Sequence, residues 1–341
     1  MTKVTAKRKS DHIRVNLEEN VRSGLSTGLE RLRFEHNALP ELDLRAVDTR
    51  LTFLGRQLDA PLLISSMTGG TEQARTINRA LAEAAQQTRV AMGVGSLRAA
   101  IEDPTLANTY DVRGYAPDVL LFANLGAVQL NYGYGLTEAQ RAVDLIGADA
   151  LVLHLNALQE ALQPEGDANF SGLLAKIEAI CRGLPVPVVA KEVGWGISPS
   201  VARRLVDAGV AAIDVAGAGG TSWSQVEMHR SPDESSAAVA SEFVDWGIPT
   251  AQALADLRHA MPEFPFIASG GLQGGIDLAK SLALGARIGG MAGPFLRAAV
   301  ESSESVIELI NLTVKVLRVA MFATGSPDLA TLRNAKLVPA L

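Results

Sequence analysis

Eight short apolar runs, each closed by glycine or a polar cluster, constrain this chain more than any other feature. They are PLLISSMTGG at 61–70, RVAMGVGS at 89–96, VLLFANLG at 119–126, ALVLHLN at 150–156, VPVVAKEVG at 186–194, AAIDVAGAGG at 211–220, FPFIASGG at 264–271 and ARIGGMAGP at 286–294. Within each run apolar character is nearly continuous rather than alternating. A strand buried on both faces reads that way, as in a parallel sheet covered by helices. Helical periodicity fills most of the gaps, as in ARTINRALAEAAQQT, TEAQRAVDLIGA, FSGLLAKIEAICRGL and GIDLAKSLALGA. In SPSVARRLVDAG, Ser198 is the expected N-cap, Pro199 the first helical residue and Gly209 the stop. Eight strand-then-helix units predict an α/β chain closed into a (β/α)8 TIM barrel. No GxGxxG opens a helix after the first run, which weighs against an open dinucleotide-binding sheet.

With 341 residues the chain suits a single barrel domain over 1–341, with segments added to it. Residues 1–58 precede the first core strand and form an N-terminal extension expected to fold over one barrel end. The barrel itself is expected over 59–320 and a C-terminal tail over 321–341. Residues 222–248 make a long insertion after the sixth strand, with two of the three tryptophans, Trp223 and Trp246. Loops of that length in a compact domain serve as lids or interfaces. From about 296 to 320 one long amphipathic helix is expected to close the barrel and to be long enough to reach a neighbouring subunit.

Composition excludes several function classes. A net charge of -6 gives no electrostatic case for nucleic acid. The single cysteine, Cys181, rules out an internal disulfide framework and a Cys-rich metal site, and its amphipathic surroundings read as a helix face. The polar N-terminus is unlike a signal peptide, and no run of about 18 uninterrupted apolar residues is present to span a membrane. A cytoplasmic protein is the expectation.

In a barrel the βα loops build the active face, so polar residues at strand C-termini are the site candidates. They recur in register: Ser66, Met67, Thr68, Gly69 and Gly70 after strand 1, Ser96 after strand 2 and Asn124 on strand 3. His154, Asn156, Gln159 and Glu160 follow strand 4, Lys191 and Glu192 lie on strand 5, and Thr221 closes strand 6. SGGLQGG at 269–275 and GGMAGP at 289–294 put small residues and helix N-termini side by side, which suits a phosphate; singly, each reads equally as a tight turn. Lys191, inside an apolar run, needs a partner or a function. An internal ion pair, a Schiff base and an ammonium against a reduced flavin all satisfy it. Glu160 is either a surface salt-bridge residue or a lone carboxylate for Mg2+, which takes one or two protein oxygens plus substrate phosphates. His154 and Glu160 are six apart, without the spacing of a helical zinc pair or a third ligand. The basic stretch with Lys7, Arg8, Lys9, His12 and Arg14 is either a solvated tail or a cover for the barrel mouth that neutralises an anionic substrate.

Taken in order, RKSDHI, SSMTGG, GVGS, NLGAVQ, HLNALQE, KEVGWG, DVAGAGGTSW and ASGGLQGG resemble type 2 isopentenyl diphosphate isomerase, the flavin-dependent form of that enzyme. The resemblance runs from about Lys7 to about Arg297, and HLNALQE is its most discriminating part. It implies FMN contacts from Met67, Thr68, Gly69, Ser96, Asn124, Lys191 and Thr221, with the FMN phosphate on Gly271, Leu272, Gln273, Ala292 and Gly293. It implies substrate diphosphate binding by Arg8, Lys9, Ser96 and Arg98, and Mg2+ on Glu160. His154, Gln159 and Lys191 become the catalytic candidates, with Gln159 and His154 beside the isoprene double bond. NADPH then serves only as flavin reductant, and the family's tetramers or octamers imply a homo-oligomer. Leu97 departs from relatives that place Gln between the Ser and the Arg.

Two rivals differ in specific residues. An FMN-dependent 2-hydroxy-acid oxidase needs a His and an Arg after strand 6, where this chain has AGAGGTSW. A non-catalytic phospho-ligand barrel would keep the glycine-rich ends but has no use for HLNALQE or Lys191.

Overall fold

The computed structural model describes residues 3–340, with side chains from residue 11 onward. Each of the eight apolar runs holds one barrel strand: β1 Leu62–Ile64, β2 Ala91–Gly93, β3 Leu121–Gly126, β4 Ala150–Leu155, β5 Val188–Glu192, β6 Ala212–Asp214, β7 Phe266–Ala268 and β8 Ile288–Met291. All neighbours pair in parallel, and β8 pairs β1 with Gly290 opposite Leu63, so the sheet closes on itself.

Near-continuous apolar strands follow from this closure, because one strand face meets the barrel interior and the other the helices. Leu63, Ala91, Phe122, Val152, Val189, Ala212, Ile267 and Ile288 fill the interior. Their neighbours Leu62, Ile64, Met92, Leu121, Leu151 and Ile213 join the larger outer core with the helices. Local signals set the helix ends. Ser198 accepts from Val201 N, Pro199 opens the helix, and Gly209 follows its end at φ 94. Thr71 caps the helix Glu72–Thr88 through Ala74 N.

The N-terminal extension divides between both barrel ends. A two-stranded hairpin, Leu51–Phe53 with Arg56–Leu58, plugs the floor, where Phe53 and Leu58 join the interior cluster. Burial of each stabilises the plug by about 2 kcal/mol. Arg56 pairs with Asp149, which also accepts from Leu121 N and Arg113, tying the plug to the starts of β3 and β4. The helix Lys3–Glu18 lies instead at the mouth, packed through Val15 against Val226 and Trp223 of the insertion. Arg8 and Lys9 belong to this helix, but their side chains lie outside the described residues.

Two elements differ from the sequence expectation. After β2 the regular helix is replaced by Arg98–Glu102 and a 3-10 segment, Pro104–Tyr110, since Asp103 and Pro104 interrupt the periodicity. The single closing helix is two, Gly293–Glu301 and Ser303–Ala323, broken where extended Ser302 caps the second through Ser305 N. The second helix packs within the chain on Gly275, where a Cβ would stand 2.4 Å from Thr313 O. The insertion forms helices Trp223–Arg230 and Glu234–Ser241, and the tail strand Leu337–Pro339 pairs antiparallel with Leu32–Phe34. Among the described residues no helix is long and apolar enough to cross a membrane.

Candidate active site

A cavity of about 940 Å3 opens at the strand C-terminal ends. Its wall brings together Met67, Thr68, Gly69, Ser96, Arg98, Asn124, His154, Gln159, Glu160, Lys191 and Thr221, with Gly271, Leu272, Gln273, Ala292 and Gly293. Most site residues named from sequence therefore face one space; Gly70, whose amide is held by Thr109, and Glu192, whose carboxylate turns onto the N–H groups of its own loop, do not line it, and the side chains of Arg8 and Lys9 are not described.

The β7–β8–β1 arc is built of backbone. Gly290 is required there, since a Cβ would stand 2.4 Å from Ser65 Oγ. Among the described residues no hydrogen bond is donated by the amides of Gly271, Leu272, Ala292 or Gly293, whereas Gln273 N already donates to Asp277 Oδ2 at 2.9 Å. Helices begin at Gly275 and Gly293, adding their positive dipole ends. Ser65 Oγ is buried without a partner. Arg297 and Lys280 also face the cavity, and both were missed from sequence because each lies inside a helical pattern that reads as solvated surface. Behind this arc Gly95 N donates to Thr68 O at 3.0 Å, and Gly70 N to Thr109 Oγ1 at 2.9 Å. Tyr110 is packed so close to Gly69 that a Cβ would fall 1.9 Å from its ring, and its hydroxyl donates to Ser96 O at 2.7 Å.

The opposite arc is built of side chains. The parallel register sets Gly126, His154, Lys191 and Asp214 side by side across β3, β4, β5 and β6. His154 Nδ1 lies 2.8 Å from Asn124 Oδ1, and because an amide oxygen only accepts, Nδ1 carries the proton. Lys191 Nζ donates to Glu192 O at 2.6 Å and stands 4.0 Å from Asp214 Oδ2. Of its three readings the ion pair is thus present in loose form, which leaves the ammonium facing the cavity. Burial pushes the Asp214 carboxyl up, against Lys191 and the Ser269 hydroxyl, which donates at 2.5 Å. Burial pushes Glu192 up to about 7, although Val193, Gly194 and Trp195 N–H groups at 2.6 Å pull the other way.

The loop and helix after β4 hold the densest network. Gln159 and Glu160 are 7% and 8% exposed. Glu160 Oε1 accepts from Asn156 Nδ2 at 2.8 Å, while Oε2 accepts from Gln163 and from Asp167 N at 2.7 Å. This is no surface salt bridge. Asn156, which also lines the cavity, has its Oδ1 buried with no partner. Arg98 pairs with Glu102 at 2.7 Å and Asp167 at 2.8 Å; burial lowers its pKa but the two carboxylates raise it further. Behind Gln159 sits Glu227, fully buried in the insertion, which accepts from Gln159 Nε2 at 2.9 Å, lies 3.3 Å from His12 and pairs with Arg230. Burial raises Glu227, yet His12, Arg230 and Gln159 together hold it below its ordinary value. No group of three ligating side chains is present among the described residues, so a cation here would lean on Glu160 and on its own substrate. After β6 the wall is Ala216, Gly219, Gly220 and Thr221, without the His and Arg that a hydroxy-acid oxidase needs.

Comparison with known proteins fits this geometry. Residues 141–339 match the family model described as FMN-dependent dehydrogenase. The chain is 54% identical over 332 residues to an isopentenyl-diphosphate delta-isomerase of Nostoc sp., covering 97% of this chain and 95% of that one. Proteins of the same name from Synechocystis sp. and Rickettsia bellii are 56% and 52% identical, covering 98% and 97% of this chain and 96% and 97% of their own. Among solved structures, mandelate oxidase with (S)-2-phenylpropionate is similar at a TM-score of 0.69 and 21% identity, with 98% of each chain covered. A mandelate oxidase variant with a monooxide FMN adduct gives 0.68 at 21% identity, covering 98% of this chain and 100% of that one. At that identity the likeness speaks to the barrel alone.

Proposed function

The chain belongs to the isopentenyl-diphosphate delta-isomerase family, in its FMN-dependent type, and from that premise we propose how its own residues carry the reaction. The substrate is isopentenyl diphosphate and the product dimethylallyl diphosphate, so a proton is gained at one carbon and lost from another without net redox change. One observation carries the reading: HLNALQE and the two glycine-rich strand ends face a single cavity.

FMN fits the wall. The undonated amides of Gly271, Leu272, Ala292 and Gly293 suit its phosphate, and Ser65 Oγ is an unpartnered polar atom beside them. Gln273 would contribute once its amide leaves Asp277. Met67, Thr68, Gly69, Ser96, Asn124, Lys191 and Thr221 would hold the rest of the cofactor. Bound and reduced, FMN supplies the acid–base chemistry, with NADPH needed only to reduce it. Lys191 would then place positive charge against the electron-rich ring.

Mg2+ fits Glu160, a carboxylate fixed by neutral donors and neighboured by the unpartnered Asn156 Oδ1. It would neutralise diphosphate charge there. Arg98 and Ser96, with Arg8 and Lys9 from the N-terminal helix, would grip the same group, Arg98 exchanging Asp167 for phosphate oxygens. Protonating an unactivated alkene creates a tertiary cation that water would trap, so the site must be dry. Trp223 lines the cavity against His12, and its apolar ring would help to exclude water. Gln159 and His154 would orient the isoprene unit beside the reacting double bond.

The one-cysteine composition and the reductant support a cytoplasmic enzyme. Exposed Leu312 and Val319 on the closing helix support assembly into a homo-oligomer. The test is turnover of isopentenyl diphosphate with FMN held oxidised or reduced. Activity is expected only in the reduced state, and equal turnover in both would refute the reading.

A further inference from the structure

Arg230 has no part in the chemistry above, and it does not line the cavity. Its side chain is 9% exposed and sits between two carboxylates from distant parts of the chain. One guanidinium nitrogen lies 2.6 Å from Glu165 in the loop after β4, and the other pairs with Glu227 on its own helix. Burying an ion pair costs desolvation that only close geometry and satisfied hydrogen bonds offset.

What it controls is the next residue inward. A primary amide packs almost equally well with its oxygen and nitrogen exchanged, so hydrogen-bond partners alone decide which end faces the substrate. Gln159 Nε2 donates to Glu227 Oε1 at 2.9 Å, and Gln159 Oε1 accepts from Asn156 Nδ2 at 3.1 Å. That leaves one N–H and one oxygen lone pair of Gln159 for the cavity. Glu227 serves as a pure acceptor only while ionised, and a fully buried carboxylate without cations would take up a proton. Arg230 on the same helix, His12 on the N-terminal helix and the Gln159 amide face it, and only Arg230 keeps its charge at every working pH.

We propose that Arg230 is a positioning residue for the isomerisation: by pairing with Glu227 it fixes which end of the Gln159 amide faces the substrate, and through Glu165 it ties the insertion to the loop that follows Glu160. Without that cation only His12 and the Gln159 amide face Glu227, so the carboxyl takes up a proton more readily, and once protonated it donates and the amide turns to offer it oxygen. This inference rests on the isomerase reading. A wild-type holoenzyme that fails to turn over isopentenyl diphosphate removes that reading, whereas the variants below bear on positioning alone.

The experiment measures kcat, KM, bound-flavin absorbance and melting temperature for the holoenzyme and Arg230→Met. A kcat lower by about 100-fold is expected from misplacement of one orienting group, with KM and flavin retention little changed. The variant's kcat should recover in part as pH rises and Glu227 ionises, a limb the wild type lacks, and Arg230→Lys should restore most of the loss. Because Arg230→Met alone leaves a buried acid, the pair is also tested with Glu227→Gln, which removes both charges. In that background Arg230→Met should add little further loss, since no carboxylate remains to be held. The proposal is overturned if Arg230→Met keeps wild-type kcat and pH profile. It is equally overturned if the losses multiply in the Glu227→Gln background, or if flavin and melting temperature fall in step with activity.

Discussion

The two arcs of the cavity wall are made in opposite ways. Over β7, β8 and β1 the contacts on offer at the glycine-rich strand ends are backbone amides and helix N-termini, with Lys280 and Arg297 facing the cavity from the helices that follow. Over β3, β4 and β5, with the insertion leaning on them, the contacts are side chains whose orientation depends on other side chains. A backbone site is rigid because the barrel is rigid, and it recognises one kind of group, an anion. A side-chain network can discriminate and can move protons, but each member is only as well placed as its neighbours. The cofactor phosphate suits the first arc and the reacting substrate the second.

Substitutions in the two arcs should separate these properties. Glu160→Gln removes the carboxylate on which the proposed cation depends while keeping a similar shape. Loss of about 4 kcal/mol of charge stabilisation should lower kcat/KM by about 1,000-fold. Absorbance of bound FMN should be unchanged, and loss of flavin together with activity would blur the distinction between the arcs. In the glycine arc, Gly271 has φ 92 and a Cβ there would stand 2.5 Å from Thr27 Cγ2 and 2.7 Å from the Gly219 backbone. Gly271→Ala should therefore cost about 2 kcal/mol in placing the loop, read as FMN affinity weakened about 30-fold in a binding titration. At saturating FMN its kcat should return toward wild type, as fits an arc that holds but does not react.

The smallest effect concerns pH. Burial pushes Glu192 up to about 7, so the folded protein holds this proton more tightly than the unfolded chain, whose carboxyl has its ordinary value of 4.5. The folded state then loses stability as pH rises from about 4.5 through 7, and the cost is absent below that window. Glu192→Gln should flatten the melting temperature across this range. A curve as steep as the wild type's would mean that the three backbone N–H donors already keep the group ionised.

The barrel was legible because burial on both strand faces erases alternation, leaving runs that end where the chain leaves the core. The helix over 199–207 was legible for the same local reason, a serine cap and a proline at its start. The glycine arc was legible too, since small residues at strand ends point to a backbone site whatever surrounds them. The side-chain arc was legible only in membership. HLNALQE names His154, Gln159 and Glu160, but nothing near them in sequence says that Gln159 bonds Glu227, 68 residues away, or that Arg230 reaches Glu165 across 65. Glu165 and Arg230 read as ordinary loop and helix-surface charges until the insertion folds back over the β4 loop. The division of the extension between floor and mouth was equally hidden, because Phe53, Leu58 and His12 carry no mark of which barrel end they meet.

By itself, then, the sequence determined eight buried strands, the face on which their polar ends gather and the two glycine-rich turns that are proposed to hold an anion. All three follow from periodicity and backbone sterics, which act over a few residues. The tertiary structure alone decided how Gln159, Glu160, His12 and Arg98 are oriented and paired. Those depend on charges and amides brought together from remote segments, and burial makes such pairings strong only after the chain has closed around them.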